Sequence, residues 1–551
     1  MSRGEREHVI GVDAGTGSVR AGVFDLRGTL LESADSPIQV FRPQQDYVEQ
    51  SSRDIWRAVG TSVREALAKA GVDSSSVLGI AYDATCSLVA LGERDEPVTV
   101  SPEGDPEHNI VVWMDHRATD QADRINATGH AVLRYVGGKL SPEQQPPKLK
   151  WLKERLPSTW ERARRFLDLA DYLAYESCKV DVRSLCTLVC KWTYLGHEGE
   201  GGSWDISFFR QIDLDDLFEG DRVGTVVAPV GSRAGLLTAE AAAHLGLDQG
   251  TAVGVGIIDA HAGGIGSLGM HAGKAEDPLV QINETLALIG GTSSCHMAVS
   301  QEPRFIPGIW GPYFGAMIPG MWLNEGGQSA TGALIDHVIA DHGAYPELSR
   351  MAESSGRSVY KILNDEVEKL RGEAADQGPT ADLHVLPYFH GNRSPRADSR
   401  ARGMVSGLTL DASLPALGLL YYATIQAIAY GTRHIIEEMN RHGYALRRIH
   451  ACGGGSKNPL WLQEHADITG CDLYVARDTD AVLLGSAILA AVAGGAYGSV
   501  LEAMRAMSPR ADVIRPNTAR RAFHEAKYRV FKRMYEHQQE YRQIMGRNLP
   551  S

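Results

Sequence analysis

One local pattern occurs twice in this chain and constrains its fold more than any other feature: an apolar strand, a turn of glycine and hydroxyl residues, and a second strand running straight back. The first copy is HVIGVDAGTGSVRAGVF, from His8; the second is QINETLALIGGTSSCHMAVS, residues 281 to 300. Apolar runs flanking a short Gly-containing connection predict a hairpin. After the first copy, a polar turn at Arg27–Gly28 leads into a third strand, which makes a β-meander over residues 8 to 33. SSRDIWRAVGTSVREALAKAGVD then reads as a helix with Ser52 as its N-cap and Trp56, Val59, Val63 and Leu67 on one face, and VLGIAYDATCSLVAL as a strand ending in polar residues. In the second half RRIHACGGGSKNPLWLQEHADITG, residues 447 to 470, reads as strand, Gly-rich turn and helix. The architecture is α/β and duplicated, without obvious duplication of sequence. A chain of 551 residues is too long for one core. Two large domains are expected, 1–270 and 271–551, divided near the polar stretch MHAGKAEDP at 270–278.

Composition narrows the partners. With 43% hydrophobic and 22% charged residues the chain is a folded globular one. A formal charge of −13 leaves no cationic excess to neutralise phosphates, so neither nucleic acid nor an anionic membrane is expected as the main partner. The seven cysteines are odd in number and form no C-x-x-C pair, which fits a reduced, cytoplasmic compartment. The charged start MSRGEREH does not read as a signal peptide. AVLLGSAILAAVAGGAYGSV, residues 481 to 500, is long enough for a membrane span, but its Ala, Gly and Ser content predicts a buried helix stopped by Gly-Gly. The histidines and cysteines show no ligand spacing for zinc, and Cys186 and Cys190, four apart, are expected to face the core. WMDHRATDQADR, residues 113 to 124, reads as a solvated charged face.

Three turns and one acid point to chemistry. In GVDAGTGSVR an acidic residue ends a strand, and the small residues Gly15-Thr16-Gly17-Ser18 let N–H groups and hydroxyls close on phosphate oxygens. The stretch matches neither a Walker A loop nor a dinucleotide fingerprint, and alone it is equally a tight hairpin turn. GGTSS, residues 290 to 294, is a second such turn; ACGGGSKNP, residues 451 to 459, places three glycines between a strand and a helix, where an anionic ligand can approach the backbone. Together they predict a nucleotide held between two lobes. GIIDAHAGGIG, residues 256 to 266, sets Asp259 at a strand's carboxyl end and a helix start, where ligands of α/β sheets bind. A plain N-cap is the simpler alternative. A helix start favours the ionised carboxylate, which phosphoryl transfer tolerates because its loose transition state asks mainly for alignment and charge stabilisation. His261 reads as a core or solvated histidine.

The motifs GVDAGTGSVR, AYDATCS, WMDHRA, GIIDAHAGGIG, GGTSS, NEGGQSATG, PYFHGNRSP, RGMVSGLTL and GGGSKNP, in this order, resemble the FGGY family of carbohydrate kinases, within the actin-like, ribonuclease-H-like ATPases. WMDHRA, GGKLSPEQQPPKLKWLK, SLCTLVCKWTY and NEGGQSATG look like the pentulose kinases of that family, most closely the D-ribulokinase branch; the literal FGGY tetrapeptide is absent. The resemblance implies two actin-like domains with a cleft between them, and ATP-dependent phosphorylation of the C5 hydroxyl of a ketopentose, D-ribulose first. L-ribulose, xylulose and ribitol are alternatives, and a non-catalytic sugar- or ATP-responsive regulator is the rival class. ATP and Mg2+ are the implied cofactors, and family habit suggests a homodimer. Carried over by position, Asp259 resembles the catalytic base and also a sugar contact, Asp13 the acid that holds magnesium through water, and Thr16, Gly17 and Ser18 the first phosphate loop. Gly291 and Thr292 resemble the second phosphate loop, and Gly332, Gly454, Gly455 and Asn458 sit where the family contacts the nucleotide. Cys86, Lys191 and Glu325 resemble the sugar contacts; a cation and an acid suit adjacent hydroxyls.

Overall fold

Buried strands set the first sheet. The computed structural model describes residues 7–271, 278–373, 378–476 and 479–546. Strand β1 (His8–Ala14) is buried almost throughout, β2 (Ser18–Asp25) turns back on it, and β3 (Leu30–Pro37) completes the expected meander. Helix α1 (Ser52–Ala70) sends Ile55, Val59, Val63 and Leu67 into this core. Its cap is Ser51 rather than Ser52: the Ser51 hydroxyl accepts the Asp54 N–H at 3.3 Å. Strand β4 (Val77–Ala84) lies parallel to β1. The short helix α2 (Leu185–Lys191), capped by Ser184, precedes β5 (Arg233–Leu236), β6 (Ala252–Gly254) and β7 (Ile257–Ile258), and β7 leads directly into α3 (Asp259–Leu268). The order across this sheet is β5-β6-β4-β1-β2-β3, with β7 also pairing β4.

The second sheet repeats the centre of the first. Its strands are β8 (Thr285–Gly290), β9 (Ser294–Ser300), β10 (Trp310–Phe314) and β11 (Trp322–Gln328), followed by helices α4 (Gly332–Ala340) and α5 (Leu414–Arg441). Then come β12 (Arg448–Cys452), α6 (Pro459–Thr469), β13 (Asp472–Ala476), α7 (Ala481–Gly494) and β14 (Ala511–Ile514). The order is β10-β11-β9-β8-β12-β13-β14. Strand β8 is antiparallel to β9 and parallel to β12, just as β1 is antiparallel to β2 and parallel to β4. The duplication inferred from the turns is therefore a duplication of strand order and direction.

The chain packs as two units, and they are not the contiguous halves expected, 1–270 and 271–551. Unit one comprises Met1–Ile282, Ala298–Asn324 and Ala476–Ala511; unit two comprises Asn283–Met297, Glu325–Val475 and Asp512–Ser551. Residues 272–277, most of the expected divide, lie outside the described set. The departure has a packing cause in α7, the apolar helix at the start of 481–500. A Cβ added at Gly266 would stand 1.9 Å from the Ala481 carbonyl oxygen, and one at Gly485 1.9 Å from that of Ala262. Helices α3 and α7 thus cross at backbone distance, which only glycine permits at those two positions. Helix α7 is buried along most of its length and ends at Gly495 in the left-handed conformation, as its composition suggests. Among the described residues, no helix is long and apolar enough to cross a membrane.

The WMDHR stretch differs from the expected solvated face. Asp115 is buried and Arg117 nearly so; the Arg117 guanidinium donates to Asp115 at 2.7 Å and to Glu49 at 2.8 Å and lies over the Tyr47 ring at 4.2 Å. Charges are tolerated inside when each is paired and hydrogen-bonded, and a one-dimensional pattern of mixed charges does not reveal that pairing.

Candidate active site

The first turn joins β1 to β2 and carries an acid row at its base. Gly15 N–H donates to Ser18 O at 3.0 Å, closing the turn; Trp113 Nε1–H donates to Thr16 Oγ1 at 3.1 Å, and the Gln50 amide to Thr16 O at 2.8 Å. Gly17 is exposed, and a Cβ placed on it would meet nothing within 4 Å. Asp13, one residue before the end of β1, faces Arg20 on β2 and Asp83 on β4. Arg20 Nε–H donates to Asp13 at 3.1 Å, and the same guanidinium binds Asp480, whose carboxylate accepts the Val482 N–H at 3.0 Å and caps α7. Burial works against the Arg20 cation, yet the charges of Asp13 and Asp480 hold its pKa above the ordinary value. Asp83 is fully buried and accepts the Ser486 hydroxyl at 2.6 Å. Burial, then the charge of Asp13, pushes the Asp83 carboxyl well above the usual carboxylate range, and Asp259 adds to the rise. Three acids from three separate strand ends therefore share one neighbourhood.

Asp259 is the first residue of α3; Ile258 occupies the cap position and supplies no side-chain cap. The Asp259 carboxylate accepts the N–H of Ala260 at 2.7 Å. Cys86 follows β4, 8% exposed, and burial pushes its thiol up to about 11. The charges of Lys191, Asp168, Lys148 and Asp259 all act on that thiol. Lys191, 4% exposed at the end of α2, holds its ammonium 4.9 Å from the centre of the Trp310 ring.

Three neighbours of Cys86 have no place in the sequence reading, although the motif holding two of them was singled out. The Gln145 amide donates to Cys86 O at 3.3 Å and to Asp168 at 2.9 Å. Burial raises the Asp168 carboxyl to about 6 and lowers the Lys148 ammonium. Lys148 Nζ is buried without a hydrogen-bond partner among the described residues. The available signal was a lysine and a glutamine inside the apolar run QQPPKLKWL, which a surface helix would not need.

In unit two the second turn is interlocked with the start of α4. Gly332 N–H donates to Gly291 O at 3.0 Å, Thr331 N–H to Thr292 O at 2.9 Å and Ala333 N–H to Thr292 O at 3.2 Å. A Cβ on Gly332 would lie 2.7 Å from Gly291 O, so this approach requires glycine. Gly291, Thr292 and Gly332 are thus brought together. Gly454 and Gly455 form a 3-10 turn after β12, beside Gly290, and Asn458 caps α6 by accepting the Leu460 N–H at 3.0 Å. The Asn458 side chain also donates to Tyr421 at 2.7 Å and accepts from Asn364 at 3.0 Å, so its polar atoms serve the fold. Glu325 lies in β11 of unit two, 4% exposed.

The chain resembles known proteins over nearly its whole length. Residues 8–266 match the N-terminal domain, and residues 286–494 the C-terminal domain, of the FGGY family of carbohydrate kinases. The "FGGY carbohydrate kinase domain-containing protein" of Homo sapiens is 47% identical over 99% of this chain and 100% of its own length. A D-ribulokinase of Saccharomyces cerevisiae is 38% identical over 89% of this chain and 72% of its own. The crystal structure of a xylulose kinase from Rhodospirillum rubrum superposes with a TM-score of 0.74 at 21% identity, over 97% of this chain and 99% of the other, and shares the fold. This chain belongs to the FGGY family of carbohydrate kinases, and it is a sugar phosphotransferase.

Proposed function

We propose that the protein phosphorylates the C5 hydroxyl of D-ribulose from ATP, with Asp259 as the base. The observation that carries this reading is the position of Asp259: it starts α3 directly after β7 and acts electrostatically on both Asp83, opposite Asp13, and Cys86, beside Lys191. Strand β7 pairs Asp83 and Ala84, so this carboxylate starts beside the end of β4, between the acid row and Cys86. The similarity to a D-ribulokinase favours D-ribulose over L-ribulose, xylulose and ribitol. Lys191, Glu325 and the backbone at Cys86 hold the sugar hydroxyls. Thr16, Gly17, Ser18, Gly291 and Thr292 take the phosphates, and Gly332, Gly454, Gly455 and Asn458 border the nucleotide.

Sugar kinases of this family use ATP with a divalent metal. The residues fit magnesium: carboxylate oxygens are the hard ligands it requires, and Asp83 Oδ1 is buried without a hydrogen-bond partner among the described residues, beside Asp13. Asp13 is the residue we assign to it, through water. When bound, the ion neutralises charge developing on the transferred phosphoryl group. Asp259 accepts the proton of the sugar hydroxyl, and Arg20 orients Asp13. All seven cysteines are unbridged, which supports a reducing, cytoplasmic setting.

The test is ADP release by the purified protein with D-ribulose, L-ribulose, xylulose and ribitol, alongside Asp259→Asn. D-ribulose should give the highest kcat/KM, and the variant should lose turnover on the order of 10²-fold or more while still binding sugar. Turnover near the parent rate in Asp259→Asn would leave this residue without a base's role, and a higher kcat/KM for another sugar would reassign the substrate.

A further inference from the structure

Cys186 and Cys190 were expected to face the core and His261 to be a core or solvated histidine, and no zinc-like spacing links them in sequence. The fold brings them together. Cys186 and Cys190 stand one turn apart on α2 and share a face, while His261 is the third residue of α3. The three candidate ligand atoms lie within 4.8 Å of one another, and Cys190 Sγ is 3.6 Å from His261 Nε2. All three residues are buried, at 0%, 1% and 1% exposure.

We propose that these three side chains form a binding site for one thiophilic divalent cation of the zinc class, tying α2 to α3 within unit one. Tetrahedral zinc with thiolate at ~2.3 Å and imidazole at ~2.0 Å sets its sulfur and nitrogen ligands roughly 3.5 Å apart. The Cys190–His261 separation already meets that spacing, and modest side-chain rotation closes the remaining gap. Binding is a plain exchange without redox change: two thiol protons leave to solvent, two sulfur–metal bonds form, and His261 donates its Nε2 lone pair while Nδ1 keeps its proton. Water supplies the fourth position. A core made only of inert cysteines would surround them with apolar groups; here an imidazole nitrogen meets a thiol instead.

Location gives the site a consequence. Cys190 immediately precedes Lys191, and His261 follows Asp259 by two positions, so an ion joining the two helices fixes the backbone that presents those side chains. Binding itself does not depend on the kinase reading; only this consequence does. Because the ligands are buried, loading and removal by a chelator should be slow.

The experiment titrates Co2+ into the reduced, metal-free full chain. One equivalent should produce a thiolate-to-cobalt charge-transfer band in the near ultraviolet and strong visible bands of a tetrahedral site; Zn2+ should displace them and raise the melting temperature. Cys186→Ser and Cys190→Ser should each weaken the charge-transfer band, and His261→Gln should lower affinity by about tenfold or more, whereas Cys86→Ser should leave the spectrum unchanged. No charge-transfer band in the parent overturns the proposal whatever the variants do. Parent-like spectra and affinities in correctly folded Cys186, Cys190 and His261 variants, judged by circular dichroism, overturn it too. Both readouts are independent of turnover, so loss of the kinase reading and loss of the metal site are told apart.

Discussion

The two hairpins are built on the same plan and loaded differently. In each, an antiparallel pair closes on a Gly-rich turn, with the final rung Ala14–Val19 in unit one and Gly290–Ser294 in unit two. One rung below, unit one reads Arg20–Asp13–Asp83 across three strands; the matching rung of unit two reads Cys295–Ile289–Cys452. Topology has been duplicated and charge has not. To the acid-bearing copy the proposed function gives the cation and the nucleophile. The other offers backbone N–H groups and hydroxyls, to which the proposed function gives the phosphates. A shared fold thus leaves the chemistry of each unit to the residues on its rungs.

The sharpest way to break this comparison is to remove the acid from the loaded rung. Asp13→Asn should lower kcat on the order of 10²-fold, the usual effect of deleting one preorganised charge at a reacting phosphate. Arg20 keeps Asp480 as a partner, so the melting temperature should move by only ~2–4 °C. Steady-state ADP release and a thermal melt measured on one preparation decide it. If turnover survives, Asp13 merely partners Arg20 and the two rungs differ only in appearance.

The units should also respond to pH with opposite signs. Unit one buries carboxyls whose pKa burial raises, Asp168 to about 6 and Asp171 to about 7. Their native forms bind protons more tightly than the unfolded chain, so their contribution to stability falls as pH rises from about 4 to 7. Unit two buries imidazoles that burial lowers, His296, His434 and His524 to about 3 and His465 to about 4. Their unfolded forms bind protons more tightly, so stability is lost as pH falls below about 6.5. Amide exchange followed from pH 6.5 to 4.5, corrected for intrinsic rates, should show protection rising around Asp168 and Asp171 and falling around the four histidines. The expected change is on the order of 1–2 kcal/mol in each region. Slopes of the same sign in both units would show that other carboxylates dominate.

What was legible in the sequence were the features written locally. The two turns, the meander, the helix that follows it and the placement of Asp259 depend on residues within a few positions of one another. Arg20 bridging Asp13 to Asp480 was not legible, because its second partner lies 460 positions away. Helix α7 was recognisable as a buried helix, but its membership of unit one depends on Gly266 meeting Ala481 across the fold. The burial of Asp115 and Arg117 was missed because charge patterning alone cannot distinguish a solvated pair from a buried one. The meeting of Cys190 with His261, 71 positions on, was missed for the same reason as Asp480: a ligand set drawn from two helices leaves no spacing to read.

Gly17 in the first turn and Gly332, packed on the second, separate stability from ligand binding. Gly332 is required by packing, since a Cβ there would come within 2.7 Å of Gly291 O. Gly332→Val should therefore cost about 1–3 kcal/mol in denaturant unfolding, the range for an overpacked contact, and should raise KM for ATP because the turn carrying Gly291 and Thr292 is displaced.

Gly17 presents the opposite case, and the smallest expected effect on stability is the more informative one. Nothing lies within 4 Å of a Cβ built there, and the residue is exposed. Gly17→Ala should leave unfolding free energy within about 0.5 kcal/mol of the parent. If the open space at Gly17 exists to admit phosphate oxygens, the same methyl group should still raise KM for ATP while leaving KM for the sugar alone. A variant unchanged in both stability and nucleotide KM would make Gly17 an ordinary turn residue, and would move phosphate recognition in unit one onto the Thr16 and Ser18 hydroxyls. The two glycines together distinguish a turn held by its neighbours from a turn held open for a ligand, a difference that their similar sequences do not show.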